Sequence, residues 1–135
     1  MLVGSRSFID KARSVRKMLG GGMRQAGVLA AAGLIALEKM PWRLSQDHEN
    51  ARLLAGLLSA IPGLQVDPAR VCTNITIVGI GETGKGSTEA AELLRDKGVL
   101  AGVVDSGTLR LLTHLDIARE QILQAARIFT EVFAC

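Results

Sequence analysis

An apolar segment near the amino terminus is the feature that most constrains the fold of this chain. Residues 26–37, AGVLAAAGLIAL, carry no charged side chain and are rich in alanine and glycine. A helix that is apolar on every side is buried, and small side chains let neighbouring backbones approach closely. A chain of 135 residues can hardly cover such a helix by itself. We therefore expect the helix predicted over residues 23–40 to pack against another domain or subunit.

The hydrophobic periodicity elsewhere predicts further helices and strands. Ser7 begins a basic helix that stops at the three glycines of positions 20–22, because glycine is unfavourable inside a helix. Ser45 begins the helix that follows Pro41, with an apolar stripe that includes Leu54 and Leu58. The later segments are predicted as a strand at 74–80, a helix at 87–97, strands at 99–104 and 109–113, and a final helix capped by Asp116 with Ile122, Ala126, Phe129 and Phe133 on one face.

This order predicts an α/β fold. From residue 74 onward the elements run strand, helix, strand, strand, helix, which is typical of a small α/β sandwich with a three-stranded sheet and helices on one face. Residues 41–135 are therefore interpreted as a small carboxyl-terminal domain. Residues 1–40, with a strand stub at 1–3 and two helices, are interpreted as the remnant of a larger domain.

Positive charge is concentrated at the amino terminus. The net charge of the whole chain is +3, but residues 1–24 hold six basic side chains and one acidic side chain. The basic residues are Arg6, Lys11, Arg13, Arg16, Lys17 and Arg24, and the acid is Asp10. Such a cluster is typical either of a binding site for an anion such as phosphate or of a solvated helix face.

Composition argues against several classes of partner. Three Phe, one Trp and no Tyr leave little for stacking on nucleic-acid bases. The apolar segment is too short to span a bilayer, and residues 1–20 are charged rather than signal-like. The two cysteines, Cys72 and Cys135, lack metal-ligand spacing. We expect a cytoplasmic protein with no nucleic-acid, membrane or metal partner.

A glycine-rich loop suggests an alternative function, the binding of a dinucleotide. Gly79, Gly81 and Gly84 form G-x-G-x-x-G after a predicted strand, and Asp105 ends the next strand, as in a dinucleotide-binding module. The predicted helix starts too late to meet a pyrophosphate, and too few strands follow. The loop also misses a P-loop by one residue, since Gly86 stands where Ser or Thr should hold magnesium. A plain strand–helix loop is the favoured interpretation.

Two longer motifs carry a family resemblance. They are RKMLGGGMRQ at 16–25 and LRLLTHLD at 109–116, with further matches at 30–33, 47–48, 50–51 and 73–74. This pattern resembles the carboxyl-terminal portion of low-specificity threonine aldolases, which are lyases of the aspartate aminotransferase-like fold type I that depend on pyridoxal phosphate. The resemblance implies that the complete enzyme splits threonine into glycine and acetaldehyde, in threonine catabolism and glycine biosynthesis.

The resemblance also implies roles for three cations. Lys17 and Arg24 would bind the cofactor phosphate, and Arg24 would sit in the first turn of a helix, whose dipole favours an anion. Arg110 would bind the α-carboxylate of the amino-acid substrate. Independently of the family, an arginine on an otherwise apolar strand demands an anionic partner, which could instead be Asp105 or Asp116.

No catalytic residue is expected within the chain. In the family the Schiff-base lysine, the ring-stacking histidine and the acid facing the pyridine nitrogen all precede the segment that this sequence resembles, and His114 is interpreted as a hydrogen-bonded strand-end residue. The chain is therefore expected to be inactive alone and to form a homo-oligomer or to assemble with full-length subunits. A non-catalytic oligomerisation partner of a longer homologue is the alternative.

Overall fold

The computed structural model describes residues 2–133. The chain divides into two compact units, one up to Pro41 and one from Trp42 onward. The interpretation of these units as the remnant of a larger domain and a small carboxyl-terminal domain stays a prediction.

The first unit consists of two helices, α1 (Arg6–Met18) and α2 (Gly27–Glu38). The cap of α1 is Ser5 rather than the predicted Ser7, because Ser5 has the extended backbone of a cap and its hydroxyl accepts from the Phe8 N–H at 3.3 Å. Residues 2–5 form no strand, since nothing in the described part of the chain pairs with them. Met1, the rest of the predicted strand stub, lies outside the described residues.

The glycines at positions 20–22 end α1 as predicted. Gly20 has a φ of +79°, which favours glycine, and its N–H donates to the carbonyl of Lys17 at 3.2 Å. The next N–H, that of Gly21, donates to the carbonyl of Arg16 at 2.8 Å. These two bonds make a Schellman ending, which satisfies carbonyls that would otherwise be free at the end of the helix.

The second unit contains three helices and three strands. The helices are α3 (Leu44–Leu58), α4 (Ser87–Asp96) and α5 (Arg119–Phe133), and the strands are β1 (Ile75–Gly79), β2 (Gly102–Asp105) and β3 (Thr108–Leu112). Short 3-10 turns lie at Pro41–Arg43, Pro68–Arg70 and Gly81–Thr83.

The strands form one antiparallel sheet in the order β1-β3-β2, with β3 in the centre. Val78, Leu109 and Leu111 are buried on the face that α3, α4 and α5 cover. The predicted α/β class with three strands and helices on one face is thus confirmed. The predicted apolar stripe that begins on α3 is buried at Leu54, Leu58 and Ile61 and partly buried at Leu53 and Leu57. The predicted stripe on α5 is buried at Ile122, Ala126, Phe129 and Phe133.

Besides Ser7, two more predicted helix caps are wrong. Ser45 lies inside α3, and its hydroxyl donates to the Trp42 carbonyl at 3.3 Å. Asp116 lies three residues before the first residue of α5. The N–H of Ala118, which immediately precedes the helix, donates instead to the side chain of Gln121 at 2.7 Å. A polar side chain within the first turn can take over capping, which residue type alone did not reveal.

Candidate functional site

Arg110 lies in the middle of the uncovered face of the sheet. Its neighbours across the strands are Ile77 on β1 and Gly102 on β2. Because side chains alternate along a strand, Arg110 points away from the face on which Leu109 and Leu111 are buried. The central strand therefore presents one cation on the side of the sheet that no helix of the second unit covers.

The surroundings of Arg110 on this face are apolar. Ile75, Ile77 and Leu112 are 41%, 49% and 50% exposed, although isoleucine and leucine are ordinarily buried. The face continues into a groove of about 590 Å³ between β1 and residues 65–71, lined by Gln65, Val66, Asp67, Arg70, Val71, Ile75 and Ile77. The groove carries its own charges on Asp67 and Arg70, whereas Arg110 and its apolar neighbours on the sheet suit a ligand that has a carboxylate and a small carbon skeleton.

Arg110 has no ion-pair partner among the described residues of the second unit. Of the two acids considered as partners, Asp105 accepts from the Gly107 N–H at 2.9 Å, and Asp116 lies 3.4 Å from Nδ1 of His114. The structural salt bridge is therefore absent within this unit, and the guanidinium is available to an external anion.

The end of β3 is fastened by a hydrogen-bond network around Thr113. The N–H of Thr113 donates to the Asn74 carbonyl at 3.0 Å, and the Asn74 side-chain amide donates to the Thr113 carbonyl at 2.7 Å. The Thr113 hydroxyl donates to the Asp47 carbonyl at 2.6 Å. These residues belong to the segments that carried the family resemblance, and their contacts hold the strand of Arg110 against α3. Sequence reasoning did not assign them this role, because the partners are far apart along the chain.

Asp47 has a second contact. Its carboxylate, 5% exposed, accepts two hydrogen bonds from the Arg43 guanidinium, at 2.8 and 3.0 Å. This two-pronged pair neutralises a buried charge at the start of α3. Both carboxylate oxygens of Asp47 are therefore hydrogen-bonded within the fold.

In the first unit, Lys17 lies beside the glycine turn. It is in the last turn of α1, and a Cβ placed on Gly22 would lie 3.9 Å from Lys17 Cγ. The ion pair found in residues 2–41 joins Arg13 to Asp10 at 3.8 Å, so Lys17 is not paired within that unit.

Arg24 is not in a helix, which corrects the prediction. Helix α2 begins at Gly27, so Arg24 lies in the connection that leads into it. The N-cap of α2 is Ala26, which offers no side-chain hydrogen bond, and no acid occupies the first turn. The first N–H groups of α2 and the exposed Arg24 therefore both favour an anion at this end of the helix.

His114 is a hydrogen-bonded residue just after the end of β3, as predicted. Its imidazole is 56% exposed, and Nδ1 accepts from the N–H of Asp116 at 3.3 Å. This contact orders the loop before α5. A cavity of about 320 Å³ that His114 helps to line, between β3 and α5, is mainly apolar and is not lined by Arg110.

The glycine loop does not form a dinucleotide site. The sheet is antiparallel, whereas dinucleotide-binding folds are built on parallel strands. A Cβ on Gly79 would lie 3.1 Å from Cβ of Gln65, so this glycine permits a close backbone pairing with residue 65. Among residues 2–133 no group of three metal-ligating side chains is found, and no helix there is long and apolar enough to cross a membrane.

Comparison with known proteins shows the family to which this chain belongs. The Beta-eliminating lyase family matches residues 1–81. The probable low-specificity L-threonine aldolase 2 of Arabidopsis thaliana is 43% identical over 134 residues, which are 98% of this chain and 38% of that protein. The low specificity L-threonine aldolase of Escherichia coli K12 is 41% identical over 126 residues, covering 93% of this chain and 36% of that protein. The chain thus spans little more than a third of these relatives.

A solved structure shares the fold. The chain described as "The structure of MppP soaked with the product 2-ketoarginine" matches 75% of this chain and 30% of its own length with a TM-score of 0.58. At 14% identity this likeness concerns the fold alone.

Proposed function

The chain belongs to the Beta-eliminating lyase family, and on that premise we propose that it supplies anion-binding groups to a threonine aldolase-like lyase dependent on pyridoxal phosphate. The complete enzyme would convert threonine into glycine and acetaldehyde. The observation that carries the proposal is the Arg110 guanidinium, which stands on an apolar sheet face without an ion-pair partner in the described part of its unit.

Arg110 binds the substrate α-carboxylate in this proposal. A guanidinium presents two parallel N–H groups that match the two carboxylate oxygens, so it fixes the direction of the carboxylate as well as its position. Ile77 and Leu112 beside it offer apolar surface to the carbon skeleton of the ligand. Fixing the carboxylate sets the orientation of the α-carbon and hence of the bond to be broken.

Lys17, Arg24 and the start of α2 bind the cofactor phosphate. The donor set fits a phosphate dianion, since it combines two exposed cations with helix N–H groups that have no side-chain cap. The absence of an acid in the first turn of α2 removes a competing charge. When bound, pyridoxal phosphate supplies the electron sink on which carbon–carbon cleavage depends.

We also infer that the chain does not turn over threonine alone. Lys11 and Lys17 do not lie in the sequence context of a cofactor-anchoring lysine, and the anchor is required for covalent catalysis. Helix α2, with Val28 80% and Leu37 61% exposed, supports assembly as a homo-oligomer or with longer subunits. We expect this assembly to occur in the cytoplasm. The alternative of a non-catalytic oligomerisation partner rests on the same exposed apolar surface of α2.

The role of Arg110 is tested in a hybrid enzyme. The 126 residues of the Escherichia coli relative that align with this chain are replaced by the chain, and threonine cleavage is followed by acetaldehyde release. Arg110→Lys is expected to raise KM for threonine about tenfold to a hundredfold, because the two-pronged contact is lost. Arg119→Lys, an exposed arginine at the start of α5, is the matched control. An unchanged KM in Arg110→Lys contradicts the proposal.

A second test separates the catalytic and non-catalytic alternatives. The purified chain is incubated with pyridoxal phosphate, reduced with borohydride and measured by mass spectrometry. No stoichiometric mass increase is expected, whereas a single stable adduct would overturn the inference of inactivity. Release of acetaldehyde by the hybrid but not by the chain supports a contribution to catalysis. A hybrid that assembles without activity favours the non-catalytic partner.

A further inference from the structure

Strand β2 begins with a glycine that its backbone does not require. Among the described residues, positive φ angles occur at Gly20, Gly63, Gly84 and Gly98, so Gly102 has a conformation open to other residues. Glycine weakens a strand, because it loses more conformational freedom on folding and offers no side chain to pack. What glycine does provide at position 102 is space for a neighbouring group.

The neighbouring group is the side chain of Arg110. Gly102 pairs directly with Arg110. A Cβ built on the glycine would lie 3.6 Å from the Arg110 carbonyl oxygen and 3.7 Å from both Nε and one terminal nitrogen of the guanidinium, which are ordinary van der Waals distances. The guanidinium thus lies over the bare backbone of β2. Ile77, the partner of Arg110 on the opposite strand, carries a branched side chain.

We propose that Gly102 is a positioning residue for the substrate-binding arginine: the absence of any side-chain atom beyond the Cβ position leaves the slot in which the Arg110 guanidinium lies. The inference rests on the proposed function for the identity of the ligand, a substrate carboxylate. The direction of the guanidinium rests on the geometry alone. With the slot filled, the guanidinium would have to turn away from β2, and the carboxylate it holds would move with it.

The size of the slot predicts a graded response. The Cβ of Gly102→Ala would be in ordinary van der Waals contact with Arg110, so the alanine variant keeps the guanidinium in place. The γ-methyl groups of Gly102→Val lie beyond the Cβ position and are expected to reach the space that the guanidinium occupies. Valine also favours strands, so strand formation by itself is not weakened by this change.

The geometry is tested by NMR on the 135-residue chain without any ligand. In the unsubstituted chain the Nε–H of Arg110 is expected to show a contact to the α-protons of Gly102 and restricted motion. Gly102→Ala keeps the restriction and Gly102→Val abolishes it. Gly86→Val is the matched control, because Gly86 has an extended backbone and nothing within 4 Å of its Cβ position. Unchanged Arg110 signals in Gly102→Val overturn the inference.

The consequence for binding is tested in the hybrid enzyme described above. Gly102→Val is expected to raise KM for threonine about tenfold or more with kcat changed less, since the carboxylate is bound in the wrong place. Gly102→Ala is expected to leave KM near the value of the unsubstituted enzyme. In an Arg110→Ala background, Gly102→Val adds nothing further, because the group through which it acts is already gone.

The outcomes separate this inference from the proposed function. If Arg110→Ala leaves KM unchanged, the carboxylate role fails, while the NMR contact still decides whether Gly102 positions the guanidinium. If Arg110→Ala raises KM and Gly102→Val does not, the inference fails and the proposed function stands. Additive effects of the two substitutions also contradict the inference, because they indicate a general structural defect.

Discussion

The Thr113 hydroxyl donates a 2.6 Å hydrogen bond to the carbonyl oxygen of Asp47, and both groups are buried. This bond joins the end of β3 to the first turns of α3, across 66 residues of sequence. Thr76 makes a similar bond from β1 to the Ala51 carbonyl, one turn further along the helix. The strand that presents Arg110 is therefore fixed to a helix by side chains on its opposite face, which limits the positions the guanidinium can adopt.

Thr113→Val tests this attachment. The substitution keeps the shape of the side chain but leaves the buried Asp47 carbonyl without this partner, so the free energy of unfolding should fall by about 1–3 kcal/mol. Urea unfolding followed by circular dichroism measures the change. Thr88→Val, at an exposed position of α4, serves as the control and is expected to change stability by no more than about 0.5 kcal/mol. Equal effects of the two substitutions would contradict the role of the bond.

The Arg43–Asp47 pair gives a second prediction. Arg43→Met leaves a carboxylate that is 5% exposed without its two donors, and we expect a loss of about 1.5–3 kcal/mol. Arg43→Met combined with Asp47→Leu should recover part of this loss, because no buried charge remains. The control is Lys97→Met, which breaks an exposed pair with Glu131 and should cost at most about 1 kcal/mol. A similar loss in both single variants would mean that burial of the pair is unimportant.

Asp105 gives a prediction about pH. The Gly107 N–H, and then the Thr108 side chain, stabilise the carboxylate and lower the pKa of Asp105 below its ordinary 3.8. Because the folded-state pKa is the lower one, this contribution to stability is present above the ordinary value and is lost as the pH falls through the lowered pKa. Carbon-13 NMR of the Asp105 carboxyl group should give a midpoint below 3.8. Thr108→Val should move this midpoint upward, and a midpoint at or above 3.8 in the unsubstituted chain would refute the assignment.

Helix α2 gives a prediction about assembly. Leu29 and Leu37 are 60% and 61% exposed, and replacing either by lysine puts a charge on an apolar surface. If this helix forms the subunit contact, Leu29→Lys should weaken self-association at least about tenfold. Sedimentation velocity over a range of concentrations measures the effect. Leu123→Lys, on α5 where the leucine is 43% exposed, should leave the association unchanged. Dissociation by Leu123→Lys alone would place the contact elsewhere.

Much of the fold could be predicted because its signals are local. Alternation of apolar residues identified β1, and the 3.6-residue stripe on α5 identified its buried face. The strands on either side of the turn at 105–107 were also predicted, although β2 begins at Gly102 rather than at residue 99. The glycines at 20–22 ended α1, as their low helix propensity requires. The caps were less predictable. Ser5 and Ser7 are the same residue type, and the choice between them depends on backbone angles that composition does not encode.

The candidate site, like the fold, could be predicted from the sequence only in part. The sequence by itself determined that Arg110 is a cation on an apolar strand and that Lys17 and Arg24 flank a glycine turn. Tertiary structure decided that Arg110 faces the open side of an antiparallel sheet, that Asp105 and Asp116 do not pair with it, and that Gly102 leaves room for its guanidinium. The physical reason is register. Which side chains meet across a sheet depends on how distant strands align, and a shift by one residue would turn Arg110 toward the core.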